Sequence, residues 1–376
     1  MAAYINRLPG DPAPYFHQRS VANPNYAFDT AAGRWLVLCF LGSAADAHSQ
    51  AALTAVTART DLFDDEHASF FGVSTDPADE ARGQLRDRYP GYRFLWDMDR
   101  SVSRLYGAAA QDDTAAPLRR LWVVMDPTLR IRHVIPFRPD RGDIPEALAA
   151  LDALPPPAAF AGFPLQAPVL VLPGLFEPAL CQELIALYES EGGEESGFMR
   201  DVGGRTVLMT DAGHKKRRDC TIADSALIKR LQERFHRRVV PEIARAFQFQ
   251  VTRMERYIVS CYAAEEGGHF RAHRDNTTLG TAHRRFAVSV NLNDAFEGGE
   301  VSFPEYGPRS FKAPAGGGVV FSCSLLHAVS PVTHGRRFAF LPFLYDEAAA
   351  KLREENRVHL APRQKGPRGA IPPPPA

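Results

Sequence analysis

Residues 155–157 are three consecutive prolines, followed by AAFAGFP, and no helix or strand runs through such a stretch. Each proline fixes φ and removes a backbone donor. We read 155–167 as a Pro/Ala-rich linker of limited flexibility, and the text on its two sides differs in kind. Before it, WLVLCFL (35–41), FFGVSTD (70–76) and RLWVVMD (120–126) read as buried strands. Between them lie the alanine-rich AADAHSQAALTAVTART and DEARGQLRDRY (79–89), both read as helices. Strands alternating with helices predict an α/β domain with a parallel or mixed sheet. After the linker come two amphipathic helical segments, FEPALCQELIALYES, with Glu177 and Pro178 placed to begin it, and ADSALIKRLQERFHRRVVPEIARAF. From Met254 the runs are short, β-like and divided by glycine and proline: RYIVSCY, RRFAVSVNL, GEVSFP, GVVFSCS, RRFAFLPFLY. That pattern predicts a sandwich or barrel. The final segment, 361–376, has too little apolar content to fold and is expected to be a disordered Pro-rich tail.

A chain of 376 residues fits two domains. Lys plus Arg and Asp plus Glu both number 44, so no electrostatic reason points to nucleic acid or an anionic membrane as partner. The longest apolar run, 35–41, is too short to span a bilayer, and the N-terminus shows no basic-then-apolar signal. The five cysteines are scattered, odd in number and without a CxxC pair, which disfavours a disulfide framework or a cysteine zinc site. The expectation is a soluble cytoplasmic protein with reduced thiols; assembly into a homo-oligomer stays open.

The stretch GGHFRAHRDNTT places His273 and Asp275 one residue apart, on the same side of an extended segment. Alone, such a triplet reads more readily as a loop pair beside a buried, hydrogen-bonded histidine. His327, at the end of the predicted strand VVFSCS, is the best third ligand. Two histidines and one carboxylate on one face of an octahedron leave positions open, as in non-haem iron(II) oxygenases. Ten residues on, Arg337 lies within GRRFAFLPF, on the next predicted strand, where a buried guanidinium could grip a dicarboxylate.

The texts CYAAEEGGHFRAHRDN, RRFAVSVNLNDAFEGGEVSFPEYG and FKAPAGGGVVFSCSLLHAVSPVTHGRRF together resemble the 2-oxoglutarate/Fe(II)-dependent dioxygenases, in particular their prolyl-4-hydroxylase-like branch. The resemblance covers roughly 168–346 and implies a double-stranded β-helix (jelly roll) with flanking helices over 168–350. It implies His273, Asp275 and His327 as the Fe(2+) ligands and catalytic centre, with Arg337 on the distal carboxylate of 2-oxoglutarate. Tyr262 falls where this branch often places a tyrosine beside the co-substrate; a core aromatic is the alternative. Asn291 stands where some relatives carry a tyrosine, and is the candidate for a second contact to the co-substrate. The implied activity is hydroxylation of a C–H bond in a peptide or protein residue or a small molecule, with release of succinate and CO2 and with ascorbate sustaining turnover. The basic run Lys215–Arg218 reads as a solvated face or as part of a substrate-covering segment, and His269 and Arg274 point either into the pocket or to solvent. A non-catalytic iron or 2-oxoglutarate sensor is a further reading.

In the first domain, 8–154, the texts GDPAPYF, GRWLVLCFLGSAADAHSQAAL, FFGVSTD and RRLWVVMD resemble the peroxiredoxin branch of the thioredoxin fold. Where that branch carries a threonine and, three residues on, its peroxidatic cysteine at a helix N-terminus, this chain has Asp46 and Ser49. Arg120 stands where the family has its thiolate-stabilising arginine, and Cys39 lies within a strand as inert core. Serine forms no thiolate, so a redox-inactive scaffold is expected, with a peroxide- or thiol-handling antioxidant protein as the alternative function.

Overall fold

A computed structural model describes residues 2–83 and 85–360; the tail expected to be disordered, 361–376, lies outside the described residues. The chain forms two compact units. One runs to Ala167 and includes Phe303–Arg309, and the other comprises Pro168–Ser302 and continues from Ser310. The stretch read as a linker thus belongs to the first unit. There the Pro155 carbonyl accepts a hydrogen bond from the Trp35 indole at 2.8 Å, and Phe160 packs edge-on against that ring.

The first unit is built on a five-stranded sheet, in the order Tyr92–Trp96, Ala68–Ser74, Trp35–Gly42, Leu121–Met125, Ile131–Pro136. The first three strands are parallel and the last two antiparallel, so the sheet is mixed. The apolar runs form its centre because strands covered on both faces need apolar side chains on both. Trp35 to Leu41 are all buried. Helix Ala47–Thr57 begins at Asp46, whose carboxylate accepts from the amides of His48 and Ser49. The second helix is much shorter than 79–89: it spans Pro77–Ala81 and is followed by Gly83 in the left-handed region. The rest of that stretch is used in other ways. Arg88 exchanges backbone hydrogen bonds with Tyr92, and the Asp87 carboxylate accepts from the amides of Ala22 and Phe94.

The second unit is a jelly roll of two antiparallel sheets. Strands Ile258–Ala263, Phe286–Asn291, Gly318–Ser322 and Val332–Phe340 lie in one sheet, and His269–His273, Val301–Ser302, Ser310–Phe311 and His327–Val329 in the other. Its two-residue side-chain period assigns each residue a face. Val259, Cys261, Val288, Val290, Phe338 and Phe340 form one apolar core with Leu184, Leu231 and Ile243 of the helices Pro178–Glu191, Ser225–Arg238 and Val240–Phe247. Their alternates, Ser260, Tyr262, Ser289, Asn291 and Arg337, face the other way and are also buried. The second helical segment is two helices rather than one, because Pro241 starts a new helix after Arg238. Glu177, at the N-cap of the first helix, is held by Arg234 and Arg238 of the second.

Candidate metal centre

His273 and His327 are direct partners across two antiparallel strands, which brings their rings to a centroid distance of 4.3 Å. Asp275 lies two residues past His273, just beyond the strand end, where its amide donates to the Cys323 carbonyl at 2.9 Å. Its carboxylate oxygens lie 3.5 Å from His273 Nε2 and 3.3 Å from His327 Nε2. One ligand atom from each of the three residues falls within 4.8 Å of the others, and among the described residues no other such group occurs.

The orientation of both rings is set by backbone. His273 Nδ1 lies 2.8 Å from the Arg271 carbonyl, and His327 Nδ1 lies 3.0 Å from the Leu325 carbonyl. A carbonyl only accepts, so each Nδ1 carries a proton and each ring turns its Nε2, the nitrogen left to ligate, toward Asp275. Burial, assisted by the neighbouring His327, pushes His273 down to about 4, which keeps it a neutral ligand near pH 7. Burial alone would raise Asp275, but the adjacent imidazoles outweigh it and hold the carboxyl well below its usual range. Two imidazoles turned by their backbone partners and one carboxylate form a donor set that fits a divalent transition metal with open positions.

Arg337 is 2% exposed and stands opposite Tyr262 across the neighbouring strand pair. Its Nε donates to Asn291 Oδ1 at 2.9 Å and its Nη2 to Ser289 Oγ at 2.6 Å, while Nη1 has no acceptor among the described residues. A buried cation with one idle donor fits an anion that arrives with a ligand. Arg336, one residue earlier, points outward to Glu189. Asn291 is occupied on both sides, since its Nδ2 also donates to the Ala313 carbonyl at 2.7 Å. Its observed contacts brace Arg337. Tyr262, Phe270, Phe296, Val329 and Val332 form an apolar cluster, and the Phe270 ring stacks on His273 at 3.5 Å. His269 contacts the carbonyls of Gly267 and Gly213, and Arg274 donates to the Ser324 carbonyl.

One of the two readings of the basic run, a solvated face, holds for only half of it. Of the basic run, Lys215 and Arg217 are buried at 3% and 4% exposure, and only Lys216 and Arg218 reach solvent. The run is extended backbone, and its alternate members turn inward. The readable signal was Asp219, two residues from Arg217, which supplies the buried counter-charge.

In the first unit, Ser49 is fully buried and its hydroxyl donates to the Leu41 carbonyl at 2.9 Å. Arg120 pairs with Asp46. Burial pushes the Cys39 thiol well above its ordinary range, in keeping with inert core.

Residues 257–345 match the family model of the 2OG-Fe(II) oxygenase superfamily, and residues 9–134 match that of the AhpC/TSA family. The chain thus joins a peroxiredoxin-like domain to a 2OG-Fe(II) oxygenase-type domain. A PKHD-type hydroxylase of Cupriavidus metallidurans is 40% identical over 85 residues, covering 20% of this chain and 37% of that protein. Another, of Hyphomonas neptunium, is 31% identical over 94 residues, covering 23% and 41%. The chain therefore spans less than half the length of these curated relatives. Among solved structures, a Trichoplax adhaerens prolyl hydroxylase bound to a hypoxia inducible factor peptide fragment is 17% identical, with TM-score 0.41 over 50% of this chain and 87% of that one. A Mycobacterium tuberculosis peroxidoxin is 21% identical, with TM-score 0.34 over 40% and 99%.

Proposed function

We propose that the second unit is an Fe(II)- and 2-oxoglutarate-dependent hydroxylase, and that the first is a scaffold without peroxidase activity. The observation that carries this is the pairing of two features: three convergent donors with correctly turned imidazoles, and the idle Nη1 of buried Arg337. In this reading His273, Asp275 and His327 hold the iron, and Arg337 takes the distal carboxylate of 2-oxoglutarate. Asn291 acts at one remove by fixing the Arg337 guanidinium. The bound metal and co-substrate supply oxidising power, with succinate and CO2 as by-products and a hydroxyl gained by the substrate. The protein's share is ligation, orientation and an apolar wall that keeps water from the reaction. The substrate is a peptide or protein residue or a small molecule, and ascorbate restores iron lost to side oxidation.

The test is succinate formation from 2-oxoglutarate by the full chain, stripped of metal and reloaded with iron(II), in air. Iron-dependent succinate is the expected result, increased by a peptide or metabolite mixture that contains a substrate. A chain that binds 2-oxoglutarate but forms no succinate under any of these conditions would be a sensor rather than an enzyme.

A further inference from the structure

The inward members of the basic run lie against the same wall as Arg337. Lys215 Nζ donates to Ser196 Oγ at 2.8 Å and to the Gly197 carbonyl at 2.6 Å, and lies 4.7 Å from the centroid of Phe270. Arg217 is held more tightly. Its Nη2 donates to Ser196 Oγ at 3.0 Å and to Asp219 Oδ2 at 2.8 Å, and its Nε lies 2.7 Å from Asp219 Oδ1. Asp219 in turn accepts from Ser260 Oγ at 2.6 Å, Ser196 Oγ at 2.5 Å and Arg256 Nη2 at 3.0 Å. A planar guanidinium whose Nη2 is held by two acceptors, with Nε in ion-pair range of the same carboxylate, has little freedom left at its remaining corner. That corner, Nη1, donates to Tyr262 Oη at 3.1 Å.

Tyr262 is 1% exposed, and two guanidinium groups lie near its ring, with Arg217 Cζ at 5.6 Å and Arg337 Cζ at 5.3 Å from the centroid. A phenol oxygen that accepts from Arg217 still has its own proton to give. Among the described residues no acceptor takes it, and the Nη1 of Arg337 is idle in the same way. Two buried donors without acceptors, on cross-strand partners, match a carboxylate, which offers two oxygens.

We propose that Arg217 is a positioning residue: it orients the Tyr262 hydroxyl so that its proton and the Nη1–H of Arg337 together receive the distal carboxylate of the co-substrate. The inference rests on reading the site as one for 2-oxoglutarate. Arg217 touches no reacting atom, and its effect passes through Tyr262. The competing account is that Arg217 and Asp219 are a buried ion pair with a purely structural role.

The experiment is calorimetric titration of 2-oxoglutarate into the full chain loaded with manganese(II), which accepts nitrogen and oxygen ligands. Wild type, Arg217→Gln, Tyr262→Phe and the double variant are compared, with melting temperatures alongside. Each single change is expected to weaken binding roughly tenfold, the scale of one hydrogen bond to a charged group. The double variant should lose no more than either single one, because both remove the same directed proton. If Arg217→Gln does not fold, Arg217→Lys keeps the buried charge without the fork and carries the same expectation. Unchanged affinity in a folded Arg217 variant, or losses that multiply in the double variant, would overturn the proposal. Wild type that fails to bind 2-oxoglutarate would instead remove the reading on which it rests.

Discussion

Each unit buries a histidine against an aspartate, and the two pairs are built for opposite ends. In the first, His48 Nε2 lies 2.9 and 3.2 Å from the two oxygens of Asp143, which also accept from the Trp122 indole at 2.9 Å and the Arg138 amide at 3.0 Å. That carboxylate is fully buried and closed: four contacts fill it and none faces open space. In the second, both Nδ1 atoms are committed to carbonyls, and the two Nε2 atoms converge on Asp275 at 3.5 and 3.3 Å. A carboxylate saturated by N–H groups ties a fold together. One on which two ligating nitrogens converge forms a donor set for a cation, and that convergence marks a candidate site.

The contrast is broken most directly at the histidines. Replacing His273, Asp275 or His327 with alanine should reduce iron-dependent 2-oxoglutarate turnover below detection and abolish stoichiometric metal binding. His48→Ala should retain turnover while lowering stability, because it strips a partner from a fully buried carboxylate, at a cost of about 1–3 kcal/mol. Metal analysis, succinate assay and thermal melts on the four variants decide it. Near-normal turnover in His327→Ala would mean that the third ligand lies elsewhere.

A second contrast lies within one strand. Arg337 is buried with an idle donor, whereas Arg336 makes an exposed ion pair with Glu189. Losing a buried charge-assisted contact costs about 2–5 kcal/mol, so Arg337→Ala should raise the 2-oxoglutarate requirement by roughly two orders of magnitude. Arg336→Ala removes a surface pair worth at most about 1 kcal/mol and should leave that requirement unchanged. If the two effects were exchanged, the strand would be out of register by one residue.

Away from the site, the two units respond to acid in the same way. Burial raises Asp65, but hydrogen bonds from Arg93, at 2.7 and 2.8 Å, and from Ser69 outweigh it and lower the carboxyl from its ordinary 3.8 to about 2. In the second unit, burial of Glu255 is outweighed by His283, Arg284 and Arg353, which lower it from 4.5 to about 2. A carboxyl depressed in the folded state stabilises at pH above its unfolded value and loses that contribution as pH falls through the folded one. Each unit should therefore lose about 2–3 kcal/mol between pH 4.5 and 2. Asp65→Asn should flatten that acid slope in the first unit only. Hydrogen exchange of peptides containing Ala68–Ser74 and Phe286–Asn291 reports the units separately, and an equal change in both would show that Asp65 is not the acid-sensitive group.

What sequence made legible follows from how local each cause is. The buried strands announced themselves as apolar runs, because a strand covered on both faces cannot be written otherwise. Helix 79–89 failed because Asp87 and Arg88 serve partners at Ala22, Tyr92 and Phe94, a demand that no local propensity encodes. At the site, the single residue between His273 and Asp275 and the position of Arg337 could be read from text and resemblance. The carbonyls of Arg271 and Leu325 that turn the imidazoles could not, since backbone acceptors leave no residue-specific trace. Asn291 was legible as a candidate contact to a co-substrate but not as a brace for Arg337, because that role depends on Ala313 and Arg337 converging on it. The burial of Lys215 and Arg217 was not legible because a charge run is ordinarily solvated, and only pairing of the strand against the jelly roll shows which members turn inward.

The smallest expected effect concerns Ser49, which stands where the peroxiredoxin resemblance leads one to expect a cysteine. Ser49→Cys restores the peroxidatic residue type at the first turn of helix Ala47–Thr57. Reactivity requires a thiolate, favoured by the positive helix end and a nearby guanidinium. Both are already engaged here: the Asp46 carboxylate caps the amides of His48 and Ser49 and pairs with Arg120. A second negative charge beside Asp46 is disfavoured, so the new thiol should stay protonated near neutral pH and consume no peroxide. The variant should also lose about 1 kcal/mol, because sulfur replaces the hydroxyl that donates to the Leu41 carbonyl. Adding Asp46→Thr frees Arg120 and the helix end, and thiol alkylation at pH 7 should then become faster than in Ser49→Cys alone. Peroxide consumption by the single variant would show that Asp46 does not block the site, and that the first unit lies one substitution from antioxidant chemistry.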